Sequence, residues 1–248
     1  MASLKVESLS TGYNGNKILD NITIEVNAGE IVGLIGSNGA GKTTLIKSIL
    51  GIVPRYEGDI VIDGVSVEIN NLGLRGNIAY IPEIPLLYDE LTLIEHMEFT
   101  AMANKLDMGR FKERKAYLLE LFDLKDKLNE FPNSFSKGMK QKVLVMCAFL
   151  LDPSILIIDE PFIGLDPIAA SNLVKIMKEK RNEGAAILMS THVLDSAEKI
   201  CDRFIVVNKG KVVFQGTLSE MKQKNNVENS SLLELFQLYV EENNESHF

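Results

Sequence analysis

The amino-acid sequence predicts an α/β fold around a largely parallel sheet, with an antiparallel β subdomain near the N-terminus and an inserted helical subdomain. Three observations carry this expectation. Short β-branched runs alternate with helical patterns over most of the chain, paired strands are signalled at its start and at the Asn208-Lys209-Gly210 turn, and the strand signal vanishes between Leu91 and Asn129.

The elements follow in order. "KVESLS" and "ITIEV" are strands of the antiparallel part, and "EIVGLIG" is a buried strand leading into the helix "TTLIKSILG". "DIVIDG" and "NIAYIP" are further strands. Leu93, Met97 and Ala101, then Leu118, Leu121 and Phe122, recur at helical spacing, which sets the helical subdomain at about 84–150. "ILIID", "AAILMST" and "RFIVVNKGKVVFQG" return the chain to the sheet. After Met221 the stretch "KQKNNVENSS" is polar and aperiodic, as a linker is. Leu232, Leu235, Phe236 and Tyr239 then fall at i, i+3, i+4 and i+7, an amphipathic helix that packs on its own body or on a partner. The expected division is therefore 1–221 and an appendage, 222–248.

At 248 residues, 46% hydrophobic and 24% charged, the chain can bury a substantial core. Its 26 basic and 34 acidic residues give a formal charge of -8, which argues against sequence-independent nucleic-acid binding. The start "MASLKVESLSTGY" lacks the basic head and apolar core of a signal peptide, so a cytosolic product is expected. The longest apolar run, Val143 to Leu151, falls well short of the ~20 residues that cross a bilayer. Cys147 and Cys201 suit buried thiols in a reducing compartment.

"GSNGAGKTT" fits G-x-x-x-x-G-K-[ST] and lies between a predicted strand and a predicted helix, as a phosphate loop requires. Gly36, Ser37, Asn38, Gly39, Ala40 and Gly41 supply backbone N–H groups that wrap phosphates. Lys42 reaches the β- and γ-phosphates, and the hydroxyl of Thr43, followed by Thr44, can ligate Mg²⁺. A mere glycine turn before a helix is the bland alternative; the agreement of motif and context disfavours it.

"ILIIDEP" ends a buried strand in two carboxylates. Asp159 at the tip suits Mg²⁺ coordination, directly or through water, and Glu160 one step further can polarise a water beside the terminal phosphate. Acidic pairs at strand ends are usually just solvated, so this reading leans on the phosphate loop upstream. His192 also ends an apolar strand. A lone histidine there is more often structural, but parallel strands bring their C-terminal ends to one edge. His96 and His247 are read as structural or surface residues. Tyr13 could stack on a purine ring, although an isolated tyrosine more often packs.

"NSFSKGMKQKV" poses a puzzle. Ser136, Gly138 and three lysines open a helical pattern and form a second small cationic cradle, suited to an anion, in a chain that already has one.

Taken in order, Tyr13, "GSNGAGKTT", "YIPE" ending at Glu83, "FSKGMKQ", "IIDEP", "GLDP" and "STH" resemble the nucleotide-binding subunits of ATP-binding cassette transporters, over essentially residues 4–220. The resemblance implies a P-loop NTPase core that binds ATP and Mg²⁺ and hydrolyses ATP. It also implies that "FSKGMKQ" is the signature motif, whose Ser136 and Gly138 bind the γ-phosphate of an ATP held by the opposite chain of a head-to-tail dimer. By the same carry-over Tyr13 stacks on adenine, Glu160 is the general base, His192 contacts the γ-phosphate, and Asp166 lies where the two sites communicate. A separately encoded polytopic membrane subunit is the implied partner, with this chain peripheral on the cytoplasmic face of the cell membrane and paired with a second ATP-binding subunit, as a homodimer in the closed state.

"YIPEIPLLYDELTLIEHM", "SFSKGMKQKVLVMCAFL" and "MSTHVLDSAEKICDRF" further resemble the Ecs-type ATPase subunits of Gram-positive bacteria, relatives of peptide-pheromone exporters. Departures from the broad pattern are visible. Glu83 replaces the usual glutamine and sets a third carboxylate near the metal and phosphates, which places it with Glu160 and His192 among the expected catalytic residues and with Thr43 and Asp159 among the expected Mg²⁺ ligands; Lys137 replaces the first signature glycine and Met139 its glutamine. Two competing readings are a soluble mechanical ATPase, which would carry tandem cassettes or long coiled-coil insertions, and a non-catalytic regulatory subunit, against which Glu160 and His192 both count.

Overall fold

The computed structural model describes residues 3–67 and 78–245. Strands β1 (Ser3–Tyr13) and β2 (Asn16–Asn27) form a hairpin that turns at Asn14 and Gly15, both with positive φ. The chain then enters β3 (Ile31–Ile35) and α1 (Lys42–Ile49). β4 (Arg55–Ile62) and β5 (Val65–Ser66) complete an antiparallel sheet of order β2-β1-β4-β5.

β6 (Ile78–Ile81) opens onto a helical stretch of α2 (Leu93–Ala103), α3 (Met108–Leu121) and α4 (Lys137–Leu150). Thr92 and Glu95 start α2 with a reciprocal capping box. Next come β7 (Ile155–Asp159), α5 (Pro167–Asn182), β8 (Ala186–Thr191), α6 (Leu194–Ile200), and the hairpin of β9 (Arg203–Asn208) and β10 (Lys211–Gly216). The second sheet has order β10-β9-β3-β8-β7-β6, parallel except for β10. Every residue of β3, β7 and β8 is buried, because both faces of the sheet are covered.

Period-2 alternation sends side chains to two cores. Leu156 and Ile158 share one with Leu93, Met97, Phe111, Leu118 and Val143 of the helical stretch. Ile155 and Ile157 share the other with Leu45 and Ile46 of α1 and with Leu4, Val6 and Ile24 of the first sheet. Burial pushes the free thiols of Cys147 and Cys201 up to about 11 and about 12, which keeps them protonated and inert.

At the C-terminal end the structure differs from the sequence expectation in one detail. α7 (Leu218–Lys224) runs past Met221 into the polar stretch, because the Thr217–Glu220 capping box starts a helix there and Met221 is buried beneath it. α8 (Leu232–Glu245) packs on its own chain: Leu232, Leu235 and Tyr239 join Ile35, Leu194, Ala197, Phe204 and Met221 in a third buried cluster. His247 lies outside the described residues. Among the described residues no helix is long and apolar enough to cross a membrane.

Candidate nucleotide-binding site

The register of the parallel sheet sets the site. Ile35 lies opposite Thr191, Ser190 opposite Asp159, and Ile81 beside Ile158, so the residues that follow these strands emerge on one edge. There they surround a cleft of about 460 Å³ lined by Tyr13, Ile18, residues 38–44, Glu83, Asp159, Glu160 and His192. Gly36 and Ser37 form the entry of the loop: Lys42 Nζ donates to their carbonyls at 2.8 and 3.3 Å. Gly36 is obligatory in its place, since a Cβ there would sit 2.4 Å from the Val207 carbonyl oxygen.

α1 begins at Gly41, whose φ of 111° suits glycine, and no side chain caps the helix. Its first N–H groups therefore face the cleft with the positive end of the helix dipole and no intrachain side-chain acceptor. Burial holds the Lys42 ammonium below its ordinary value, against the opposing pull of Glu160, Asp159 and Glu83. Glu83 is exposed at the cleft edge, but its charge reaches inward: Tyr80 is pushed up to about 12 by burial first, then by Asp159 and Glu83.

Asp159 is almost fully buried and accepts from two hydroxyls, Thr43 Oγ1 at 3.1 Å and Ser190 Oγ. The neighbouring Thr43 and Asp159 oxygens are hard donors of the kind Mg²⁺ prefers. Among the described residues no three His, Cys, Asp or Glu side chains converge closely enough to hold a metal. Glu160 has a φ of 48°, costly for a side-chain-bearing residue at about 1–3 kcal/mol. Its N–H donates to the Ser190 carbonyl at 3.1 Å and to Ser190 Oγ at 3.2 Å, which holds the turn. The carboxylate is directed to His192, accepting from Nδ1 at 2.9 Å and from the backbone N–H at 3.3 Å. With Nδ1 so used, the other nitrogen of the half-exposed ring remains for a ligand.

Ser190 is quoted in the motif "STH" but given no role by the sequence, although its hydroxyl donates to the Asp159 carboxylate and its oxygens accept from the Glu160 N–H. Its importance comes from the cross-strand pairing with Asp159. Gln141 is also missed: buried on α4, its Nε2 donates to the Pro82 carbonyl at 3.4 Å and ties α4 to the segment carrying Glu83.

Ser136, Gly138 and Asp166 do not line the cleft. Ser136 is exposed and caps α4, its Oγ accepting from the Met139 N–H at 3.2 Å. Gly138 is packed: a Cβ there would lie 2.3 Å from the Gly164 carbonyl oxygen. Asp166 caps α5 by accepting from the Ala169 N–H at 2.8 Å, and it pairs with Lys142 at 3.0 Å; these contacts, the N–H first, hold its carboxyl below the ordinary carboxylate value. His96, far from this edge in sequence and on α2, is buried and structural, its Nε2 accepting from the Tyr88 N–H at 2.9 Å and its Nδ1 donating to the Thr92 carbonyl.

Comparison with known proteins agrees with this arrangement. Residues 19–163 match the family model described as ABC transporter. The chain is 45% identical to the ABC-type transporter ATP-binding protein EcsA of Bacillus subtilis (strain 168) over 95% of its own length and 96% of that relative's. It is 31% identical to the lipopolysaccharide export system ATP-binding protein LptB of Escherichia coli (strain K12), over 96% and 100%. A solved structure of an ATP-binding subunit of an ABC transporter superposes with a TM-score of 0.93 at 45% identity, covering 95% of this chain and 98% of that one. A cleft of this composition on this sheet, together with relatives matched end to end, makes the chain a member of the ABC transporter family, an ATP-binding subunit with ATPase activity.

Proposed function

We propose that this chain powers an exporter of the Ecs type, working as a head-to-tail pair on the cytoplasmic face of a separately encoded polytopic membrane subunit. The 45% identity to EcsA and the similarity to an export-system ATPase support the exporter assignment. The observation that carries the catalytic reading is the convergence of Lys42, Asp159, Glu160 and His192 on one cleft.

In this reading Tyr13 stacks on the adenine and the residues from Gly36 to Thr44 cradle the phosphates, with Lys42 against the β- and γ-phosphates. Thr43, Asp159 and Glu83 would hold Mg²⁺, with Glu83 at the exposed edge of the cleft. When bound, that ion neutralises charge on the phosphate oxygens. Glu160 takes a proton from the attacking water as its oxygen bonds to the γ-phosphorus and the bridging oxygen leaves with ADP. His192 orients Glu160 through Nδ1 and turns its other nitrogen to the γ-phosphate. Ser136 and Gly138 complete the partner's site, and Asp166 sits between the two sites. Residues 1–221 form the ATP-binding unit, with 84–150 transmitting its motion to the membrane subunit, and 222–248 form an appendage.

The test is Glu160→Gln. Hydrolysis is expected to fall by about 10²- to 10⁴-fold while ATP binding persists, so that sizing chromatography with ATP and Mg²⁺ shows a stable dimer. Unchanged turnover would remove Glu160 from its role.

A further inference from the structure

His192 stands between the end of β8 and the start of α6, with only Val193 separating it from Leu194. α6 has seven residues and no side-chain N-cap. A helix of two turns does not hold itself in water, so its position is dictated by what it packs against. One of those neighbours is α8. Leu194 and Ala197 of α6 share a buried cluster with Leu232, Leu235 and Tyr239 of α8, and the same cluster contains Ile35, directly before the phosphate loop. One polar contact fixes the register: Glu198 Oε2 accepts from the Leu232 N–H at 2.8 Å, satisfying a free donor at the start of α8. At the far side Asn225 Nδ2 donates to the Met221 carbonyl at 2.8 Å and to the Tyr239 hydroxyl at 3.1 Å, so α8 is braced against α7 as well.

We propose that α8 is a strut that sets the position of His192, with Leu235 and Glu198 as the positioning residues. The chain of contact is short: α8 holds α6, α6 begins two residues after His192, and the His192 ring holds the Glu160 carboxylate. The inference rests on the proposed role of His192 at the γ-phosphate. Because α8 lies outside the cleft, its loss should spare ATP binding and disturb the reacting geometry, where displacements near 1 Å can cost about 100-fold in rate.

The experiment is steady-state ATPase kinetics on the full chain. Leu235→Ala should lower kcat about tenfold and leave the KM for ATP within about twofold, whereas Leu235→Met should restore most of the rate. Glu198→Ala should give a smaller loss in kcat, and Glu198→Gln, which keeps an acceptor oxygen, should be close to native; this pair carries the test if Leu235→Ala fails to fold. In a His192→Ala background each lesion should cause no further loss, since both act through the same ring. Equal fold losses in the two backgrounds, or native kcat in folded Leu235→Ala and Glu198→Ala, would reduce α8 to a structural role and overturn the inference alone. A His192→Ala protein with native turnover would instead remove His192 from the reaction, and the inference with it.

Discussion

Two helices of this chain, α1 and α4, open in similar letters, and their surroundings are opposite. Both start beside glycine and lysine with no acidic residue in the first turn. At α1 no side chain caps the helix, Lys42 is buried, and three carboxylates from other strand ends face it across the cleft. At α4 the cap is filled by Ser136, the glycine is packed against Gly164, Lys142 is paired with Asp166, and Ser136 itself is exposed. One helix start opens uncapped into a cleft lined by three carboxylates; the other is a cationic rim whose Lys142 is already paired with Asp166. The lesson is that a motif's letters describe a capacity for anions, and only the groups brought to face it from elsewhere in the fold turn that capacity into chemistry.

The largest expected effect breaks this comparison or confirms it at a stroke. Lys42→Ala disables the α1 site of its own chain, and Ser136→Arg blocks whatever the α4 start serves. Each protein alone should be inactive. If the α4 start serves a second copy of the chain, mixing the two variants creates dimers with one site bearing both lesions and one wholly intact, and ATPase activity should return. A mixture that forms heterodimers, binds ATP and stays silent would count against action in trans, once pairing each variant with unmodified chain has shown that a single intact site turns over.

A smaller effect concerns the carboxylates facing α1. Two unit charges 4 Å apart repel by roughly 4 kcal/mol at an effective dielectric of 20, and an exposed group such as Glu83 feels a screened fraction of that. Glu83→Gln should therefore lower the Mg²⁺ concentration needed for ATP-driven dimerisation, by about three- to tenfold. Superimposable magnesium titrations of the two proteins would mean that Glu83 contributes no charge to the closed site.

The smallest effect separates two uses of Gly138. A Cβ placed 2.3 Å from the Gly164 carbonyl must push backbone against backbone, a strain of about 1–3 kcal/mol. Gly138→Ala should thus lower Tm by a few degrees without nucleotide present. An unchanged Tm with weakened ATP-driven dimerisation would instead assign this glycine to the approach of a ligand.

These cases also show what can be read from the chain alone. The α/β fold is legible because β3, β7 and β8 are continuous apolar runs between helical periods, and the phosphate loop because its whole mechanism is written in consecutive residues. Asp159, Glu160 and His192 are traceable to one edge because parallel strands share a direction. Ser190 is not traceable, because its value depends on which residue of β7 pairs with it. The close approach at Gly138 is likewise hidden, being made to a turn distant in sequence, and the cap at Thr217 is easily missed among lysines and asparagines. The amphipathic period of α8 is plain, whereas its docking behind α6 is a matter of tertiary packing.

The backbone angle at Glu160 carries a consequence for the engineering of this protein. A positive φ at a glutamate is a place where backbone strain can be relieved, since Glu160→Gly or Glu160→Asn relaxes the turn, less what the carboxylate's contacts to His192 contribute. On the role proposed for Glu160, a selection for heat resistance alone would drift toward those replacements and return robust proteins with an idle cleft. Stability and turnover are thus in direct competition at a single residue, so any campaign to harden this scaffold must screen for both at once.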